Sequence, residues 1–184
     1  MIGPDVTRDI REATADDVWA VHETARESWH AAYDDLLGPD RVDEIVDEWY
    51  AIGEIESSIA DTTGRDDATF LVVDSGAKTD AGAIEADERC HGFAHVVPWP
   101  EDARVAYLVR IYVRPDRWGE GIGTALLEHL EAEFEGGFDR LRLAVLADNE
   151  VGVSFYESRG FDRVGTYDSD LGADLEEYIY EKAL

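Results

Sequence analysis

Ile111-Tyr112-Val113-Arg114-Pro115-Asp116-Arg117-Trp118-Gly119-Glu120-Gly121-Ile122-Gly123-Thr124-Ala125-Leu126-Leu127 is the stretch on which the reading of this chain turns. An apolar run ends at Val113, Pro115 stops it, and alternate glycines at 119, 121 and 123 lead onward. Ile122, Leu126, Leu130 and Phe134 then recur every four residues, the spacing of an amphipathic helix. Glycine lets a backbone approach a ligand closely and leaves its N–H groups unhindered. A helix N-terminus adds roughly half an elementary charge of positive sign. Strand, glycine turn and helix start therefore make a cradle for an anion, with a diphosphate as the natural guest.

Working outward, the pattern predicts a strand from Thr7 to Glu12, then Thr14 as a helix cap with Asp17 three residues on. A helix follows from about Asp16 to Ala32, with Val18, Val21, Ala25 and Trp29 on one face, and Leu36-Leu37-Gly38-Pro39 breaks it. Two shorter helices are expected at 40–50 and 52–60. Strands are expected at Thr69 to Asp74, Gly92 to Val97 and Ala103 to Val113, with a loose loop from Ser75 to Glu88. After the glycine-led helix come a strand at Arg140 to Val145 and a short helix from Val151 to Arg159. Two last strands follow, Asp162 to Tyr167 and Leu175 to Glu181. The expectation is an α/β (α+β) mixed sheet of about seven strands with flanking helices, one domain over 1–184.

Two phosphate-binding motifs fit the glycine turn poorly. A P-loop needs a Gly-Lys-Ser/Thr ending, and no lysine is present here. The dinucleotide fingerprint needs glycine where Thr124 stands and belongs on the first strand of its unit, so a nicotinamide-linked oxidoreductase is a remote rival. A second block bears on the choice: Leu143-Ala144-Val145-Leu146-Ala147-Asp148-Asn149, then Val151 to Phe155, then Tyr156-Glu157-Ser158-Arg159-Gly160-Phe161. Alone, Asn149 reads as a helix cap and Tyr156 as a packed aromatic. Together with the glycine turn they resemble the GNAT family of N-acetyltransferases. Its pyrophosphate loop reads Arg/Gln-x-x-Gly-x-Gly/Ala, and here that frame is Trp118-Gly119-Glu120-Gly121-Ile122-Gly123. Trp118 departs from the family's Arg or Gln and forfeits a side-chain donor to the phosphates.

The resemblance implies transfer of an acetyl group from acetyl-CoA to an amine. Its cofactor contacts would come from Trp118, Gly119, Glu120, Gly121, Ile122, Gly123 and Thr124, from the backbone of Ile111, Tyr112 and Val113, and from Asn149. The family frees the backbone groups of 111–113 where the fourth strand splays from the fifth, for the pantetheine arm and for the developing oxyanion. Tyr156 matches the family's general acid, and a phenol with a reference pKa of about 10 can protonate a departing thiolate. Some members carry a glutamate base on the fifth strand, where this chain has Ala144. His95 is the candidate base, alternating with Phe93 and Val97 on its strand, with water-mediated deprotonation the favoured route. The segment Trp29-His30-Ala31-Ala32-Tyr33-Asp34-Asp35-Leu36-Leu37 is similar to one in small-molecule members, which places Trp29 and Tyr33 at the acceptor pocket. Four residues apart on a helix, they also have ordinary core spacing. The acceptor could be a small amine, an amino acid or a protein N-terminus. The rival of another class is a non-catalytic acyl-CoA-binding module. Homodimerisation through the last strands is a habit of the family.

Composition bounds the rest. The 184 residues carry 43 acidic and 16 basic side chains, a formal charge of −27. Such a surface repels nucleic acid and anionic membranes, so neither is expected as a partner. The acidity is spread along the chain and resembles that of proteins from salt-accumulating, haloarchaeal-type cells. Arg110, Arg114 and Arg117 are the densest basic group and could offset the repulsion of an anionic cofactor, or simply pair with Asp116 and Glu120. One cysteine, Cys90, excludes an internal disulfide and reads as a buried small thiol. His22, His30 and His129 lack metal-ligand spacing, so no metal is expected. The first residues, 1–6, lack the pattern of a signal peptide and no apolar run is long enough to span a bilayer, so the expected location is cytoplasmic.

Overall fold

Period-four and period-two patterning sorts this chain into alternating elements, and the computed structural model describes them over residues 8–76 and 80–184, the Asp87 side chain excepted. Three expectations fall wholly or partly outside those residues: the leader reading of 1–6, the start of the first strand at Thr7, and the middle of the 75–88 loop with Lys78. In order, the elements are β1 (Asp9–Glu12), α1 (Val18–Leu37), α2 (Pro39–Trp49), α3 (Ile52–Thr62), β2 (Thr69–Asp74), β3 (Gly92–Trp99) and β4 (Asp102–Val113). They continue with α4 (Ile122–Phe134), β5 (Arg140–Leu146), α5 (Glu150–Ser158), β6 (Asp162–Asp168) and β7 (Glu176–Ala183). The strands form one seven-stranded sheet in the order β1-β2-β3-β4-β5-β7-β6.

The chain falls into two compact units, each made of separate segments: 1–95 with 110–130, and 96–109 with 131–184. In the first, β1 and β2 pair antiparallel from Asp9 opposite Asp74 to Glu12 opposite Leu71. Every residue of β2 is buried, which is why its sequence shows no alternation. The predicted apolar face of α1 is real: Val18, Val21, Ala25 and Trp29 are all buried. The helix runs on past Ala32 to Leu37, because nothing before Gly38 breaks it. Gly38 takes φ of 85°, its N–H closes on the Asp34 carbonyl at 2.9 Å, and Pro39 opens α2. Asp17 reaches back to the Thr14 N–H at 2.8 Å, and its buried carboxylate also meets Arg11 at 2.7 Å. Arg11 in turn holds Asp74 at 2.6 Å, so one guanidinium ties β1 to the end of β2 and the approach to α1.

In the second unit, β5 pairs antiparallel with β7, from Arg140 opposite Ala183 to Leu146 opposite Glu177. β6 pairs antiparallel with β7, with an irregularity between Arg163 and Gly165. β4 pairs parallel with β5 over Val105, Ala106 and Tyr107 opposite Arg140, Leu141 and Arg142. Both strands continue beyond these residues, so this ladder spans a short part of each. Ile122, Leu126 and Leu130 of the first unit and Phe134 of the second, the predicted face of α4, are all buried.

Candidate active site

The glycine turn belongs to the first unit and its shape follows from its residues. Pro115 opens a single 3-10 turn, Pro115–Arg117, after β4. Gly119 and Gly121 then take φ of 79° and 82°, backbone that costs an L-residue about 1–2 kcal/mol. A Cβ at either would meet nothing within 4 Å, so the turn faces open space. The Gly121 carbonyl accepts from the Ala125 N–H at 3.0 Å, which starts α4 there. The first turn of α4 thus follows directly on the glycine turn. An open, left-handed glycine turn at the positive end of a 13-residue helix suits a diphosphate.

Trp118, the departure from the motif, has a task. Its indole N–H donates to the Val113 carbonyl at 2.8 Å, clasping the turn to the end of β4. The Ser28 hydroxyl on α1 lies 2.9 Å from the same oxygen. The absence of a Cβ at Gly92 brings β3 against this corner: one there would stand 3.0 Å from both Ile122 Cγ2 and the Tyr112 carbonyl. Glu120 turns toward Arg8, which bonds its carboxylate and donates to its carbonyl at 2.9 Å. Arg117 lies 3.9 Å from Glu120 and 4.0 Å from Glu88. Arg8 and Glu88 gave no signal in the sequence, since both contacts join residues far apart in the chain.

The three arginines read as one basic group do not act as one. Arg114 pairs with Asp116 at 3.0 Å, and Arg117 with acids as above. Arg110 goes elsewhere: its guanidinium lies over the Tyr50 ring, 5.0 Å from the centroid, and donates to the Trp49 carbonyl at 3.1 Å. There it borders an aromatic cluster around the two predicted acceptor-site residues. Trp29 is buried with ring centroids of Tyr33, Tyr50, Trp49 and Tyr112 at 4.7, 5.8, 5.9 and 6.1 Å. Tyr33 is buried too. The spacing of Trp29 and Tyr33 was legible, whereas Trp49, Tyr50 and Arg110 reach the cluster only through tertiary contact.

His95 is buried, 5.1 Å from Phe70 in a stacked arrangement. Burial first, and the nearby Arg110 charge second, push its pKa down to about 4. The imidazole is therefore neutral at physiological pH and a weak base. Cys90 is likewise buried, and that burial pushes its thiol up to about 12.

In the second unit Asn149 caps α5, accepting from the Gly152 N–H at 3.0 Å. A Cβ at Gly152 would stand 2.7 Å from Asn149 Nδ2, so a side chain there would push the capping amide aside. Tyr156 is buried on the same helix, with Phe155, Phe161 and Tyr180 rings at 5.3, 5.6 and 6.4 Å. Tyr180 donates to Glu157 at 2.8 Å, and burial together with that carboxylate pushes its phenol up to about 12. Among the described residues no group of three or more His, Cys, Asp or Glu side chains is gathered to hold a metal ion. Among them, too, no helix is long and apolar enough to cross a membrane.

The model of the acetyltransferase (GNAT) family matches residues 20–161. The chain belongs to the GNAT family. This GNAT chain is 31% identical over 166 residues to the spermidine N(1)-acetyltransferase of Thermoplasma acidophilum, covering 89% of itself and 93% of that relative. Its fold matches the crystal structure of the PaiA N-acetyltransferase of Thermoplasma acidophilum in complex with coenzyme A, with TM-score 0.76 and 26% identity. That match covers 97% of this chain and 99% of the other. A ribosomal-protein alanine N-acetyltransferase from Escherichia coli shares the fold at TM-score 0.61 and 22% identity, over 96% and 94% of the two chains. The GNAT chain is accordingly an acetyltransferase that takes its acetyl group from acetyl-CoA.

Proposed function

We propose that this acetyltransferase moves acetyl from acetyl-CoA to a primary amine by direct attack of the neutral amine on the thioester carbonyl. The observation that carries the reading is the open left-handed turn of Gly119 and Gly121 at the start of α4. Its N–H groups, through Thr124, would hold the diphosphate, while the backbone of Ile111, Tyr112 and Val113 would run beside the pantetheine arm. An N–H there that meets the developing oxyanion is worth about 3–4 kcal/mol of barrier. Asn149 would serve the coenzyme as well as cap α5. Tyr156 would protonate the departing thiolate, a role that its fixed place on α5 supports. Trp29 and Tyr33 are buried, so we assign them the wall behind the acceptor pocket. A base whose conjugate acid ionises near pH 4 takes a proton from an ammonium poorly, which favours deprotonation through water over His95. A small polyamine leads the acceptor candidates, because the spermidine-acetylating relative aligns with 89% of this chain.

Free-thiol release from acetyl-CoA over a panel of amines tests the reading, with spermidine, an amino acid and a peptide N-terminus as its members. Spermidine should be turned over, and Tyr156→Phe should lower kcat about 100-fold with little change in KM for acetyl-CoA. An undiminished kcat in that variant would remove Tyr156 as the acid. Coenzyme binding with no turnover on any amine would favour a non-catalytic acyl-CoA-binding module.

A further inference from the structure

A carboxylate in the middle of an anion cradle is a contradiction that the structure resolves at Arg8. Glu120 lies between Gly119 and Gly121, and both its carbonyl oxygen and its carboxylate would repel a diphosphate held by their neighbours' N–H groups. Arg8 engages both groups at once, the carbonyl at 2.9 Å and the carboxylate in an ion pair. Arg117, 3.9 Å away, is the second cation near that carboxylate, and Glu88 competes for it at 4.0 Å. We propose that Arg8 is a positioning residue for the coenzyme: by turning the negative groups of Glu120 aside and cancelling its charge, it leaves the glycine turn a net acceptor of anions. In a protein of charge −27 that local cancellation sets coenzyme affinity. The inference rests on the reading that this turn grips the coenzyme's diphosphate.

Steady-state kinetics of the full chain at low and high salt test it, preceded by titration of the wild type with coenzyme A. Absence of coenzyme binding by the folded wild type would overturn the underlying reading itself. With binding established, Arg8→Ala should raise KM for acetyl-CoA about fivefold to tenfold at low salt and leave kcat within about twofold. The rise should shrink as salt increases. In a Glu120→Gln background the same change should cost less than half as much. Glu120→Gln alone should lower KM at low salt, and this arm stands even if Arg8→Ala folds badly. An unchanged KM in Arg8→Ala, an equal loss in both backgrounds, or an unchanged KM in Glu120→Gln would overturn the role assigned to Arg8.

Discussion

His30 on α1 has carboxylates at both ring nitrogens, Asp34 at 2.6 Å and Asp43 of α2 at 2.8 Å. Burial opposes the charged ring, but the hydrogen bonds to Asp34 and Asp43 prevail and raise its pKa above 6.5. Arg26, Glu27, Arg114 and Asp116 border the same groove. A raised folded value means that the stability His30 adds is complete below the ordinary histidine value and is lost as pH rises through the folded one. His95 has the opposite sign: its lowered value adds stability that is complete above pH 6.5 and is lost as pH falls toward about 4. Urea midpoints measured from pH 4 to 9 should therefore fall less above pH 6.5 in His30→Gln, and less below it in His95→Gln, than in the wild type. Parallel profiles in all three would refute both assignments. Legibility at this scale followed chain distance. The glycines stood out through their alternation and Trp29 and Tyr33 through their four-residue spacing, whereas Tyr156 was singled out only by the resemblance to the family. Arg8 and Arg110 act through partners 112 and 61 residues away, which no local pattern encodes.

At the scale of elements, the proposed coenzyme site depends on a tight corner where β3, the end of β4 and the start of α4 meet. Gly92→Ala would press a methyl group against Ile122 and the Tyr112 carbonyl, both 3.0 Å from the new Cβ. The carbonyl cannot yield without moving β4, so the expected outcome is a loss of about 1–3 kcal/mol in a urea titration. Gly121→Ala has space but the wrong φ, and should lose about 1–2 kcal/mol together with coenzyme affinity. Wild-type stability in either variant would contradict the geometry. Element order was legible because period-four faces and turn residues mark this chain clearly. The ends were less so. β3 runs through Pro98 to Trp99, where the proline suggested a stop, and α1 gains a turn because only Gly38 ends it. The register of the β4–β5 ladder was illegible, since register is a property of two strands distant in sequence.

For the whole molecule, 43 acidic against 16 basic side chains make self-repulsion the dominant long-range force. The described pairs, Arg11 with Asp17 and Asp74 among them, satisfy only some of the carboxylates. At about 1 M KCl the Debye length is about 3 Å, so repulsion between unpaired acids is largely removed. Thermal midpoints should rise steadily from dilute buffer to molar KCl. A flat or falling profile would mean that charge does not limit this fold. The same repulsion opposes an anionic coenzyme, so its binding is best measured where screening is complete. Calorimetric titration of the full chain with coenzyme A at about 1 M KCl is the most direct test of the central claim. The account predicts saturable heat at one site per chain, weakened in Gly121→Ala. Silence from a protein whose circular dichroism shows it folded would contradict it.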